Sequence, residues 1–195
     1  MRGASLVLLA CAAVGVAAPV PKKPVGYFPT AVGTKWEYAP EGEKEATLVL
    51  EVTEATEKDG VRTVTIDQKG GEKLPDYPAK YRVGKDWVEM TECGGKEMTP
   101  ARLDLRAKPK ADDKWDSPHK WSGYDYKLTV HVGSEEKVVV PAGKFTAMPH
   151  EQEFPQFEDK KKPTAWYTDG VGLVKFSTDD GSAFVLVKYT PGKEK

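Results

Sequence analysis

The stretch Tyr124-Asp125-Tyr126-Lys127-Leu128-Thr129-Val130-His131-Val132 decides the fold class of this chain. Tyr124, Tyr126, Leu128, Val130 and Val132 share one parity, while Asp125, Lys127, Thr129 and His131 share the other. Successive side chains of an extended strand point to opposite faces, so this alternation places one face in a core and the other in water. On a helix the same residues would scatter around the whole circumference.

Working outward, the two-residue period recurs between Gly, Pro and Asp clusters and predicts strands over 34–38, 46–56, 61–68, 79–83, 87–93, 137–140, 146–154, 165–168, 171–177 and 182–189. Glu41-Gly42-Glu43, Lys58-Asp59-Gly60 and Gly84-Lys85-Asp86 supply turns between neighbours. In 183–189 both parities are apolar or aromatic, which predicts a strand covered on both faces. Residues 100–122 carry Pro109 and Pro118 among lysines and aspartates and read mainly as an ordered loop, apart from a short alternation over 102–106; 155–163 reads as a solvated loop. Without a repeat or an interior linker, the expectation is an all-β, single-domain antiparallel meander. Twist then curls a sheet of about ten strands into a barrel or half-barrel.

The first residues have a different character. Arg2 precedes an apolar run that ends at Pro19, the layout of a secretory leader, so residues 1–18 read as a signal peptide cleaved after Ala18. The run is too short for the roughly 20 apolar residues of a membrane span. Leu8-Leu9-Ala10-Cys11 offers an alternative, cleavage before Cys11 and lipid anchoring through it. Either way the product is exported, to the periplasm or the exterior. Residues 19–25 read as a disordered N-terminal segment, 26–190 as the β domain and 191–195 as a tail. Once Cys11 is gone, Cys93 has no partner for a disulfide in the same chain.

Charge excludes some partners. Lysine and arginine total 29 against 30 aspartates and glutamates, for a net charge of −1, with both signs interleaved. A chain so balanced has no electrostatic reason to seek nucleic acid. His119, His131 and His150 show no metal-ligand spacing. The string His150-Glu151-Gln152-Glu153-Phe154 begins like a zinc-protease motif, but Phe154 stands where the second histidine belongs and Pro149 and Pro155 bracket it, so it reads as an exposed strand face. No Gly-x-Ser-x-Gly elbow occurs, and Gly170 and Gly172 lack the third glycine of a dinucleotide loop. No catalytic residue, metal or cofactor is therefore assigned, and the chain is expected not to be an enzyme. Acid pairs such as Glu89 and Glu92, or Asp179 and Asp180, keep a carboxylate-based hydrolase as the catalytic alternative.

Among the tryptophans, Trp36, Trp87 and Trp166 lie in expected strands and are expected to fill the interior. Trp115 and Trp121 fall in the segment read as loop, which makes them the candidates for facing a ligand.

Three strings together resemble an exported bacterial β-barrel family, some members of which are labelled TapB-like: YFPTAVGTKWEY (27–38), VVVPAGKFTAM (138–148) and WYTDGVGLVKF (166–176). That family typically shows a Gly-x-x-Trp start, a Val-Pro-Ala-Gly-x-Phe turn and a Trp-Tyr-x-x-Gly-Val-Gly-Leu-Val-Lys hairpin. The matching structural signature here is Trp36, Pro141, Gly143, Phe145, Trp166, Tyr167, Gly170 and Gly172. Pro141-Ala142-Gly143 reads as a tight turn and Asp169-Gly170 as a hairpin turn, with Gly172 permitting close backbone approach. More remotely, such proteins are similar to the half-barrel lipoprotein carriers of the periplasm, whose concave apolar face shelters acyl chains. The resemblance implies a non-catalytic extracytoplasmic β module that binds an apolar ligand such as a lipid, or a partner such as another envelope protein. A structural envelope or surface-assembly protein is the remaining alternative.

Overall fold

The computed structural model describes residues 26–70, 76–156 and 162–193. The expected leader, Cys11, the segment 19–25 and the last two residues lie outside them. Thirteen strands follow one another: β1 (Lys35–Pro40), β2 (Leu48–Lys58), β3 (Val61–Gly70), β4 (Tyr77–Val83), β5 (Trp87–Cys93), β6 (Lys96–Arg106), β7 (Lys114–Trp121), β8 (Tyr124–Val132), β9 (Glu136–Val140), β10 (Gly143–Glu153), β11 (Thr164–Thr168), β12 (Gly172–Ser177) and β13 (Ala183–Thr190). Three of the hairpins use two-residue turns, Asp59-Gly60, Gly94-Gly95 and Ser122-Gly123, whose residues all have positive φ. That is the primed turn geometry whose twist matches the flanking strands.

Every pairing is antiparallel, and twelve strands close into a barrel in the order β11-β12-β13-β1-β2-β3-β4-β5-β6-β7-β8-β10, with β10 pairing back onto β11. Of the two forms expected, the closed barrel is the one found. Closure runs through Met148 opposite Tyr167 and His150 opposite Ala165. The terminal strands also meet, Trp36 lying opposite Tyr189.

The two ends differ. Residues 26–34 run in beneath β1 and plug one end, where the Phe28 ring lies 4.9 Å from that of Tyr81. The Gly170 N–H donates to the Gly26 carbonyl at 3.0 Å. Trp36 Nε1–H donates to the Val171 carbonyl at 2.6 Å, and the Tyr38 hydroxyl donates to the Leu173 carbonyl at 2.8 Å. Residues 191–193 return to this end, the Gly192 N–H donating to Thr34 Oγ1 and the Lys193 N–H to the Val32 carbonyl. At the opposite end, the turns Gly94-Gly95 and Ser122-Gly123 and the loops after β10 and β12 surround an opening.

The expectation that β13 is covered on both faces finds its cause in the β9–β10 hairpin. β10 pairs with β9 over its first half and with β8 and β11 over its second. The first half carries β9 across the outside of the wall. There Val138, Val140 and Ala142 join one buried cluster with Val185 and Leu186, and the Ala142 N–H donates to the Leu186 carbonyl at 3.0 Å. Ala39 and Val185 pair on the face opposite Trp36 and Tyr38, yet both are buried.

Residues 100–122 depart from the loop expected of them. β6 continues to Arg106 and β7 occupies Lys114–Trp121. In β7, Trp115, Ser117, His119 and Trp121 turn inward while Lys114, Asp116, Pro118 and Lys120 turn outward, an alternation that polar Ser117 and His119 conceal from a hydrophobicity reading. Pro118 lacks an N–H, and β6 and β7 share the single backbone bridge Met98–Trp121. Side chains replace the missing ladder. The Leu103 N–H donates to Ser117 Oγ at 2.7 Å, and the Leu103 carbonyl accepts from Trp115 Nε1 at 3.2 Å.

Candidate ligand-binding cavity

The opening leads into a cavity of about 730 Å3. Its inner wall is built by β5 to β8, which bring Cys93, Met98, Arg102, His119, Trp121 and Tyr126 onto the interior face. Gln152 to Pro155, with Lys162 and Pro163, form the rim on one side, and Ser177 to Asp179 form it on another. A volume of several hundred Å3 with mainly apolar walls and a few convergent polar groups is characteristic of small-molecule sites.

The aromatic wall is ordered by cross-strand pairing. His119 lies opposite Tyr126, and their rings stack with centroids 5.7 Å apart. Trp121 tilts against Tyr126 at 6.3 Å and anchors itself by donating from Nε1 to the Cys93 carbonyl at 3.2 Å. The His119 Nδ1 lies 3.0 Å from the Ser117 carbonyl; burial lowers the affinity of this imidazole for a proton, so it is held neutral. Burial also raises the Cys93 thiol, which keeps it protonated and weakly nucleophilic.

One ion pair sits inside the wall. Arg102 Nε–H donates to Asp104 Oδ1 at 2.6 Å, and its Nη2–H donates to Oδ2 at 3.0 Å. Burial alone would lower the Arg102 affinity for its proton, but the charge and hydrogen bonds of Asp104 outweigh burial and hold it above its ordinary value. A second pair stands at the rim, where Lys162 Nζ reaches Glu153 at 3.0 Å and Glu151 at 3.4 Å. The hydrogen bond from Lys162 keeps the Glu153 carboxyl below its usual range.

The tryptophan expectations divide. Trp121 lines the cavity, whereas Trp115 is buried beside Leu128 and Val130, with its ring 6.0 Å from that of His150. Both are on a strand and not on a loop. Trp36 is inside, but Trp87 and Trp166 lie on the outer wall, each beneath a cation: Arg82 is 5.7 Å from the Trp87 ring and Lys175 is 5.4 Å from the Trp166 ring. Strand parity explains this, because the adjacent Val88 and Tyr167 take the inward positions. His150 also corrects an expectation. It is not on an exposed face but is 1% exposed inside the barrel, while Glu151 and Glu153 meet Lys162 outside. Among the described residues no three metal-ligating side chains gather. Sequence reasoning missed Arg102, Met98, His119 and Tyr126 as cavity residues; the period-two alternation of Trp115, Ser117, His119 and Trp121 was the available signal.

Two solved structures share this architecture. One, from Bacteroides fragilis, is a protein proposed to be exported and described as having a YmcC-like fold; it aligns with a TM-score of 0.54 at 16% identity, over 85% of this chain and 99% of that one. At the level of fold, this barrel is similar to that one. The other, proposed to be a lipoprotein of Parabacteroides distasonis, aligns with a TM-score of 0.53 at 15% identity, over 87% of this chain and all of that one. No protein-family model matches the sequence, and no curated protein does.

Within the barrel of this chain, the signature residues gather away from the cavity. Trp36, Gly170 and Gly172 meet at the plug. Gly172 has a φ of +89°, and a Cβ there would stand 3.1 Å from Pro29 Cδ and 3.4 Å from the Tyr27 carbonyl oxygen. The backbone therefore requires glycine on two counts. Pro141 and Gly143 turn β9 into β10, and Phe145 packs against the adjoining buried cluster. Trp166 Nε1–H donates to Glu136 of β9, and the Tyr167 ring meets that of His150 edge-on at 5.1 Å.

Proposed function

We propose that the protein is an exported, non-catalytic β-barrel of the kind its three motif strings suggest, TapB-like members included, and that it holds a mainly apolar small molecule in its open-end cavity. The observation that carries this reading is a volume of about 730 Å3, walled by Met98, Trp121, Tyr126 and Phe154, inside a barrel whose far end is plugged. Export is supported by the leader-like opening and by the two structural neighbours, one proposed to be exported and the other a lipoprotein. The hydrolase alternative has less support: of the three acids at the cavity, Asp104 on the floor and Glu153 at the rim are each bound to a cation, and Asp179 stands on a different stretch of the rim from Glu153. Closure also leaves few unpaired strand edges for assembly by strand addition.

The test is binding of the uncharged dye Nile red to the purified protein. Saturable 1:1 binding that is lost in Met98→Trp, which fills the cavity, is the expected result. Absence of saturable binding, or binding that Met98→Trp leaves unchanged, overturns the reading.

A further inference from the structure

Arg102 occupies the floor of the cavity. Met98 lies nearer the rim on β6, and Arg102 follows four residues later, about 13 Å deeper at the rise of a strand. Its partner Asp104 stands two residues further along the same face, where β6 carries a bulge. Val88 pairs with Leu105 and Glu89 with Leu103, so Asp104 is the extra residue on β6. Residues two apart share a face of a strand, and the bulge breaks the alternation only after Asp104, so that Leu105 is buried as well. The result is a bidentate ion pair on the inner face of a mainly apolar chamber.

This pair is only half used. A guanidinium offers five N–H donors in a fixed fork, and Asp104 takes two. Among the described residues Asp104 is the only hydrogen-bond partner of Arg102, whose side chain lines the cavity. The remaining donors call for an oxygen acceptor on whatever enters. The charge of Arg102 is already compensated, so a carboxylate arriving there would meet Asp104 as well as Arg102. It would surrender its hydration for little net attraction. A neutral carbonyl or hydroxyl gives up less hydration and still satisfies the donors.

We propose that the cavity selects an uncharged, oxygen-bearing amphiphile, such as a medium-chain ester, bound with its oxygen end inward on Arg102 and its apolar body along Met98, Trp121, Tyr126 and Phe154. The inference rests on the ligand-holding reading above and adds the chemistry and direction of the occupant. Ligands enter oxygen first, and the Arg102–Asp104 pair reads the head group while the aromatic wall accepts the chain.

The experiment displaces Nile red with three probes of similar length: methyl decanoate, decanoate and dodecane. Methyl decanoate is expected to displace the dye at a concentration at least tenfold lower than either of the others. In the double variant Arg102→Met, Asp104→Leu, which replaces the pair by apolar groups, the ester should lose its advantage over the alkane while the dye still binds. Arg102→Lys keeps the charge but not the fork, and should reduce that advantage even if the double variant does not fold. Equal displacement by ester and carboxylate overturns the inference, as does an ester preference unaltered in Arg102→Lys and the double variant; in both cases the cavity reading stands. Failure of Nile red itself to bind overturns the cavity reading, and this inference with it.

Discussion

With Nδ1 3.2 Å from the Met148 carbonyl, His150 donates its one proton there and leaves Nε2 without a partner; among the described residues this is the only buried side-chain nitrogen or oxygen without one. Burial pushes its pKa down to about 4 from an ordinary value of 6.5. An unfolded chain takes up a proton at that residue as pH falls through 6.5, while the folded barrel refuses it until about 4. Stability from this residue is therefore complete above pH 6.5 and is lost as pH falls between those values, by about 3 kcal/mol in all. Urea unfolding of the protein and of His150→Phe at pH 7 and pH 4.5 should show a much shallower acid loss in the variant, whose ring fits the space between Trp115 and Tyr167. The plug makes a second expectation at this scale. Gly172→Ala forces positive φ onto a side chain that has nowhere to go beside Pro29, and should lower stability by about 1–3 kcal/mol, read as a reduced urea midpoint.

Among the elements, the seam between β6 and β7 is the place where the wall is held by side chains. Ser117→Ala removes the acceptor of the Leu103 N–H, at a cost of about 1–3 kcal/mol for a buried donor left unmade. Amide exchange at Leu103 should then accelerate far more than at Val64 or Ile66, each of which is paired on both sides, to β2 and to β4. Equal protection at all three sites would contradict the assignment. The same seam shows why part of the fold was hard to read. The strand 124–132 declares itself because its inward residues are Tyr, Leu and Val. β7 follows the same geometry with serine and histidine inside, because its inward face borders an ion pair and a chamber rather than a dry core. Hydrophobicity reports the interior only where the interior is hydrophobic. The Arg102–Asp104 pair was hidden for a related reason: residues two apart share a face, but a charged pair reads as a solvated face, and the bulge beside it is set by the register of β5 against β6, which no period in the sequence reports.

Over the whole molecule, closure depends on the first and last strands meeting. β1 pairs with β13 along its length, so the chain cannot complete its wall until nearly all of it is present. A chain ended after Ser177 removes β13, leaves β1 and β12 as raw edges and exposes the Trp36 and Tyr38 face. It should lack a cooperative thermal transition and form aggregates, measured by circular dichroism and light scattering. The division of labour at this scale was partly legible. The three motif strings that carry the family resemblance converge on the plug and the outer hairpin, which explains why they forecast an architecture and were silent about an occupant. The chamber is built largely by β5 to β8, where the sequence offered no familiar pattern.

Because residues 26–34 and 191–193 lie side by side at the stoppered base, the barrel behaves as a cup whose handle and foot are on the same side. A purification tag or fluorescent reporter fused directly after Lys193 starts beneath the base and should leave the mouth unobstructed. A short linker from Lys193 back to Gly26 would allow the chain to be reopened elsewhere, at the turn Asp59-Gly60, with the chamber intact.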